Sequence, residues 1–177
     1  MVRIGIIGLG ENGTMHLRGF DRTDGCEVVA ACDPLAEKRE LAARLMQDKK
    51  INLYTSHKAM FKNETLDAVA ISTPTYMHAP IAMDALDAGL DIHLEKPIAP
   101  TMEETDALIV RAFEAGRIVQ VGLVYRYSNL FRTVGRLVER GDFGNVMMAY
   151  CKEYRDNFPT QWFFETKKSG GAILDKN

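Results

Sequence analysis

Short apolar runs rich in Val, Ile and Ala alternate along this chain with longer stretches whose apolar residues recur at helical spacing. Brief β-branched runs bounded by turn residues fit buried strands, and recurrence every three to four residues fits one face of a helix. Residues 3–7 read as a strand, and 14–20 open a helix. A second strand over 27–32 leads into a helix over 35–46, with Leu41, Ala42 and Leu45 on one face. Residues 52–54 form a short third strand and 58–61 a helical stretch. A fourth strand, 68–72, is ended by Pro74; a helix over 80–88 stops at Gly89; 91–94 is a fifth strand. Thr101 and Glu104 form a capping box for a helix that ends at Gly116, and 118–121 is a sixth strand. Such alternation predicts an α/β fold, a doubly wound parallel sheet with helices on both faces.

The rhythm changes after Gly122. A helix is expected over 129–140, a turn between Gly141 and Gly144, and a longer strand over 146–154. Residues 156–177 read as irregular, with Trp162, Phe163 and Phe164 close together. The boundary falls near Gly122, dividing the chain into a first domain over 1–122 and a second over 123–177, whose 55 residues are few for an independent core. The 146–154 strand has an unpaired edge, which favours self-association.

Chemistry enters at the first turn. The strand runs into Gly8-Leu9-Gly10-Glu11-Asn12-Gly13, a GxGxxG pattern. Gly8 permits the tight turn, Gly10 lets the backbone approach a pyrophosphate, and Gly13 lets helix and strand pack closely. The helix start offers backbone N–H groups, those of Glu11 and Asn12 among them, to the phosphates. Asp33 ends the second strand twenty residues beyond Gly13, where a carboxylate accepts hydrogen bonds from the adenosine ribose and repels a 2′-phosphate. NAD is therefore favoured over NADP. Asp33-Pro34 equally fits a helix-start cap; for the glycines, tight packing alone is the alternative to nucleotide binding.

Composition narrows the field. Twenty-two basic against 24 acidic residues give a net charge of −2, without the basic surplus of a nucleic-acid-binding module. No apolar run is long enough to span a bilayer, and the apolar pattern starts at Val2, leaving no room for a signal peptide. Three cysteines, with no CxxC, argue against a disulfide framework and fit a reducing cytoplasm. No histidine stands at ligand spacing from a Cys or Asp, so no metal is expected. His16 and His57 fall on helices, and His93, inside the fifth strand, reads as a packed core residue.

Further motifs carry a resemblance. They are Ser72-Thr73-Pro74 with His78, Glu95-Lys96-Pro97, Tyr125-Arg126-Tyr127, Gly141-Asp142-Phe143-Gly144, and the run from Ser169 to Asp175. Together with the glycine loop they resemble the Gfo/Idh/MocA oxidoreductases, the glucose–fructose oxidoreductase and inositol dehydrogenase family. The resemblance implies hydride transfer between NAD and a sugar, cyclitol or related polyol. It places the turn of Ser72, Thr73 and Pro74 against the nucleotide and His78 near it, with Thr75 where the family often has Asn. It gives Glu95 a contact near the nicotinamide ribose and Lys96 a catalytic, substrate-binding role. The resemblance also implies that Arg126 lies near cofactor and substrate and that Asp175 binds substrate. Local contacts for His78, and surface ion pairs for Glu95–Lys96 and for Arg126, are the structural alternatives. Asp175 matches the start of an Asp-x-Gly-x-His motif, but Asn177 stands where Gly is usual and the histidine would fall beyond the last residue. Family members are about twice this length, with an antiparallel-sheet second domain through which homo-oligomers form. The resemblance thus implies a truncated oxidoreductase; a non-catalytic dinucleotide-binding module or inactive remnant is the alternative.

Overall fold

A computed structural model describes residues 1–152 and 161–171. Contacts divide the chain into two units: Met1–Gly122 with the segment from Gln161 onward, and Leu123–Thr160.

In the first unit six strands form one parallel sheet. They are β1 (Val2–Ile7), β2 (Cys26–Cys32), β3 (Asn52–Tyr54), β4 (Ala68–Ile71), β5 (Asp91–Leu94) and β6 (Val119–Val121). Their order is β3-β2-β1-β4-β5-β6. The chain moves outward from β1 to β3, then crosses to the other side of β1. That reversal opens a crevice at the carboxyl ends of β1 and β4, where folds of this kind bind ligands.

The connecting helices are α1 (Glu11–Asp21), α2 (Ala36–Leu45), α3 (His57–Asn63), α4 (His78–Asp87) and α5 (Met102–Ala115). Parallel strands are buried on both faces, so they read as continuous apolar runs. On one face Ile4, Ile6, Val28, Ala31 and Ala70 pack with Leu17 of α1 and Ala42 of α2. On the other, Ile7, Val69, Ile71, Ile92 and Leu94 lie in one cluster with Met60, Ile81, Leu86 and Leu108 of α3, α4 and α5. A β-carbon at Gly5 would come within 2.9 Å of Met60 Cε, so glycine there leaves room for the Met60 side chain of α3.

Helix starts differ from the sequence reading. α1 begins at Glu11 because the last loop residues are already helical, and a 3-10 turn over Thr75–Met77 leads directly into α4 at His78. Thr101 Oγ1 accepts the Glu104 N–H at 3.2 Å, as expected for the cap of α5. Gly116 closes that helix at φ 61°, in the left-handed region.

The second unit holds a 3-10 turn (Val124–Tyr127) and α6 (Asn129–Glu139), capped by Ser128. Gly141 and Gly144 take positive φ around the turn that follows. The strand expected over 146–154 is not formed in its described part, 146–152. Val146, Met147, Met148 and Tyr150 are exposed there. An apolar run becomes a strand only against a neighbour that takes its backbone hydrogen bonds, and no described strand pairs with it.

The segment read as irregular contains a 3-10 turn (Gln161–Phe164) and α7 (Thr166–Ser169). The sequence reading assigns it to the second domain; its contacts group it with the first 122 residues. α7 packs on the Thr75–Met77 turn, and Ser169 is buried. Trp162 and Phe163 meet edge to face with ring centres 5.8 Å apart. Asp175 lies outside the described residues.

Candidate functional site

The positions singled out in the first unit line the carboxyl edge of the sheet. In five of the six strands the hydrogen-bonding ladder runs one residue past the strand end. Gly8 N–H donates to the Cys32 carbonyl at 2.9 Å, Asp33 N–H to Tyr54 at 3.1 Å and Ser72 N–H to Ile7 at 2.8 Å. Glu95 N–H donates to Ile71 at 2.9 Å and Gly122 N–H to Leu94 at 2.8 Å. Gly8, Asp33, Ser72 and Glu95 are thus fixed in one row by backbone pairing.

The glycine loop has the geometry of a phosphate cradle. Gly8 sits at φ 84°, and a β-carbon there would press on the Ser72 carbonyl oxygen at 2.8 Å. A β-carbon on Gly13 would overlap the Gly8 carbonyl oxygen. Gly10 differs, since nothing lies within 4 Å of its β-carbon position. The two outer glycines serve packing, and the middle one leaves open the side from which a ligand approaches. Thr14 N–H makes the first bond of α1, to the Gly10 carbonyl at 3.0 Å. The N–H groups of Glu11, Asn12 and Gly13 therefore have no acceptor within the helix. Gly10 is the N-cap, with no side chain to cap them.

Asp33 is buried against this loop. Its Oδ2 accepts the Leu9 N–H at 2.8 Å and its Oδ1 the Leu35 N–H at 2.9 Å. Of the two readings of this residue the structure shows the cap of the turn before α2, and the carboxylate also braces the loop. Each carboxylate oxygen keeps a further lone pair for a ribose hydroxyl. Cys32 beside it is inert: burial, then the Asp33 charge, pushes its thiol up to about 12 against a hydrogen bond from Gly8.

The turn after β4 lies directly behind Gly8, and the Ser72 and Thr73 hydroxyls are buried with no partner among the described residues. His78 is buried and ties this turn to the next. Its Nε2 lies 2.8 Å from the Thr73 carbonyl and its Nδ1 2.7 Å from that of Pro97, after a cis Lys96–Pro97 bond. Burial lowers its pKa below the usual histidine value, against the pull of those two carbonyls. Both ring nitrogens face backbone, so what the structure shows of His78 is a brace between two edge loops.

Glu95 is buried at the end of β5. His16 on α1 reaches it, with Nε2 2.7 Å from Oε1. Burial pushes the Glu95 carboxyl up, but the His16 hydrogen bond, the charges of His16 and His93 and the Lys96 N–H outweigh it and hold the pKa below the usual range. His93 is partly buried, edge to face with His16 and Phe20. The sequence reading found neither the His16–Glu95 pair nor its contact with His93. Lys96 follows on the same edge, partly buried. Arg126 lies in the second unit, exposed on the 3-10 turn.

A parallel sheet in this order, a glycine loop entering α1 and an acid ending β2 define a dinucleotide-binding Rossmann fold. Residues 2–123 match the model of an oxidoreductase family with an NAD-binding Rossmann fold, GFO_IDH_MocA. The chain belongs to the Gfo/Idh/MocA oxidoreductase family. Inositol 2-dehydrogenase 3 of Saccharopolyspora erythraea is 31% identical to it, over 98% of this chain and 50% of that protein. Glycosyl hydrolase family 109 protein 1 of a Shewanella strain is 29% identical, over 96% of this chain and 41% of that protein. The crystal structure of myo-inositol 2-dehydrogenase from Lactobacillus plantarum superposes with a TM-score of 0.76 at 31% identity, over 82% of this chain and 43% of that one. The chain thus spans about half the length of the relatives it matches. No helix among the described residues is long and apolar enough to cross a membrane.

Proposed function

We propose that this chain forms the cofactor-binding part of an oxidoreductase that moves hydride between NAD and a carbinol carbon of a sugar, cyclitol or related polyol. The observation that carries the reading is the row at the carboxyl edge, where the glycine loop, Asp33, the Ser72-Thr73-Pro74 turn and Glu95 are set side by side by ladder hydrogen bonds. The inositol dehydrogenase relatives support the substrate class.

When bound, the nicotinamide supplies the hydride acceptor or donor. Gly8, Gly10 and Gly13, with the N–H groups of Glu11 and Asn12, hold the pyrophosphate. Asp33 accepts from the adenosine ribose, and this selects NAD over NADP. Glu95, ionised and oriented by His16, accepts from the nicotinamide ribose. Lys96 binds the reacting hydroxyl and relays its proton. His78 holds the loops that carry Thr73 and Lys96 in register. Arg126 and Asp175 contribute from the later segment, through which homo-oligomers also form.

The test is Lys96→Ala in the full-length protein. Polyol-dependent NADH formation is expected to fall by about 10²- to 10⁴-fold, with NADH affinity nearly unchanged. Unchanged turnover would remove Lys96 from the chemistry. One other reading is a dinucleotide-binding module without catalysis; NADH binding with no polyol oxidised would select it.

A further inference from the structure

Three groups able to ligate a transition metal converge beside β5: His16, His93 and Glu95. His93 and Glu95 are alternate residues at one strand end, so they face the same side of the sheet. His16 meets them from α1. One ligand atom from each residue lies within 4.8 Å of the other two. The two imidazole rings are edge to face with centres 4.7 Å apart, and Phe20 covers His93 at 5.8 Å. Nε2 of His93 is buried and has no hydrogen-bond partner among the described residues. A buried ring nitrogen without a partner is costly, and here it sits beside a second imidazole and an ionised carboxylate.

We propose that His16, His93 and Glu95 form a three-ligand site for a divalent transition cation, with Zn²⁺ the best match. Two imidazoles and one carboxylate suit zinc, which commonly takes three protein ligands and keeps a fourth position for water. Calcium and magnesium favour sets made wholly of oxygen. Zinc ligand distances of about 2.0–2.2 Å place tetrahedral ligand atoms roughly 3.3 Å apart. The His16–Glu95 pair, at 2.7 Å, opens slightly to reach that spacing. The widest pair, at up to 4.8 Å, closes by side-chain rotation. His16 ligates through Nε2 as its Nδ1–H tautomer and gives up its hydrogen bond to Glu95. The ion takes the carboxylate that the proposed function assigns to the nicotinamide ribose. Ion and dinucleotide then compete, a corollary that rests on that reading while the site itself does not.

The experiment is metal titration of this chain after chelator treatment, by calorimetry with Zn²⁺ and by visible spectroscopy with Co²⁺. A single equivalent of Zn²⁺ and Co²⁺ bands of low coordination number are expected. His16→Ala and His93→Phe should each weaken Zn²⁺ binding roughly tenfold or more and remove the bands. Phenylalanine at 93 preserves the ring packing, which guards against misfolding. Cys151→Ser and His57→Ala, the latter breaking the separate 2.8 Å pair with Asp84, should leave binding unchanged. Absence of binding, or equal affinity in the His16 and His93 variants, overturns the site. Zn²⁺ bound at these residues with NADH affinity unaffected would uphold the site and remove instead the Glu95 contact with the cofactor.

Discussion

Asp33→Ala separates the two tasks that the structure gives one carboxylate. The first task is structural. Oδ2 accepts the N–H of Leu9, a residue with 0% exposure. Without that acceptor a buried N–H is orphaned, at a cost of about 1–3 kcal/mol. The Leu35 N–H loses its partner too, but Leu35 is half exposed and water replaces the bond at little cost. The sum is about 2 kcal/mol, which for a chain of this size lowers Tm by about 4–8 °C. The second task is recognition. A hydrogen bond to a charged acceptor is worth about 1.5–3 kcal/mol, so NADH binding should weaken roughly 10- to 100-fold. The two effects could be confused, because a loosened loop also binds badly. NADPH resolves them. Loss of the carboxylate removes repulsion of the 2′-phosphate, so the ratio of NADPH to NADH affinity should rise. The assays are thermal melting and fluorescence titration with both nucleotides. Equal weakening toward both would confine Asp33 to bracing the loop, and an unchanged Tm would refute the cost assigned to the Leu9 N–H.

Three more expectations follow from the same geometry. Gly13→Ala forces a β-carbon into the Gly8 carbonyl oxygen; it should cost about 3 kcal/mol or more, and a wild-type urea midpoint would show that the loop can shift freely. His78 and His93 both have pKa values lowered in the fold, chiefly by burial. As pH drops through about 6.5 the unfolded chain takes up protons that the native state refuses. Stability is therefore full above that pH and lost from there down to the folded pKa values; a Tm that stays level between about pH 7 and pH 5 would contradict this. Cys151 is exposed, whereas Cys32 is buried with its thiol near 12. A thiol reagent should label Cys151 in the native protein and reach Cys32 only on unfolding, and similar labelling rates for the two would count against the packing around β2.

The sheet was legible because parallel strands buried on two faces leave unbroken apolar runs, and Ile4 to Ile7 or Ala68 to Ile71 need no partner to be seen. The helix caps were legible for the same local reason, as Thr101 and Glu104 show. Residues 146–152 mark where local pattern stops informing. Their apolar content is that of a strand, but a strand is a property of a pair, and Val146, Met147 and Met148 stand exposed with no neighbour to pair with among the described strands. The 161–171 segment departs from its local pattern in the opposite sense. Its aromatic cluster hid two short helical turns, one of which buries Ser169 through a tertiary contact that no local pattern encodes.

The site divides along the same line. The glycine loop announces itself because its requirements are local: one left-handed glycine, one clash and one open side within six residues. The His16–Glu95 pair spans 79 positions and has no such signature. One trace of it was present in the sequence. β5 buries Ile92 and Leu94 on the face that carries α4 and α5, so residue 93 must face the other side. A strand covered on both faces would be apolar at that position as well. It carries His93 instead, opposite Gln120 in the β5–β6 register, and Gln120 is exposed. A histidine interrupting an apolar strand two residues before a buried carboxylate is poorly explained as filler for a core. It is better explained as part of a polar cluster whose third member comes from another element. The helix that leaves the glycine loop is the natural source, because it is anchored at the same edge, and that is where His16 lies.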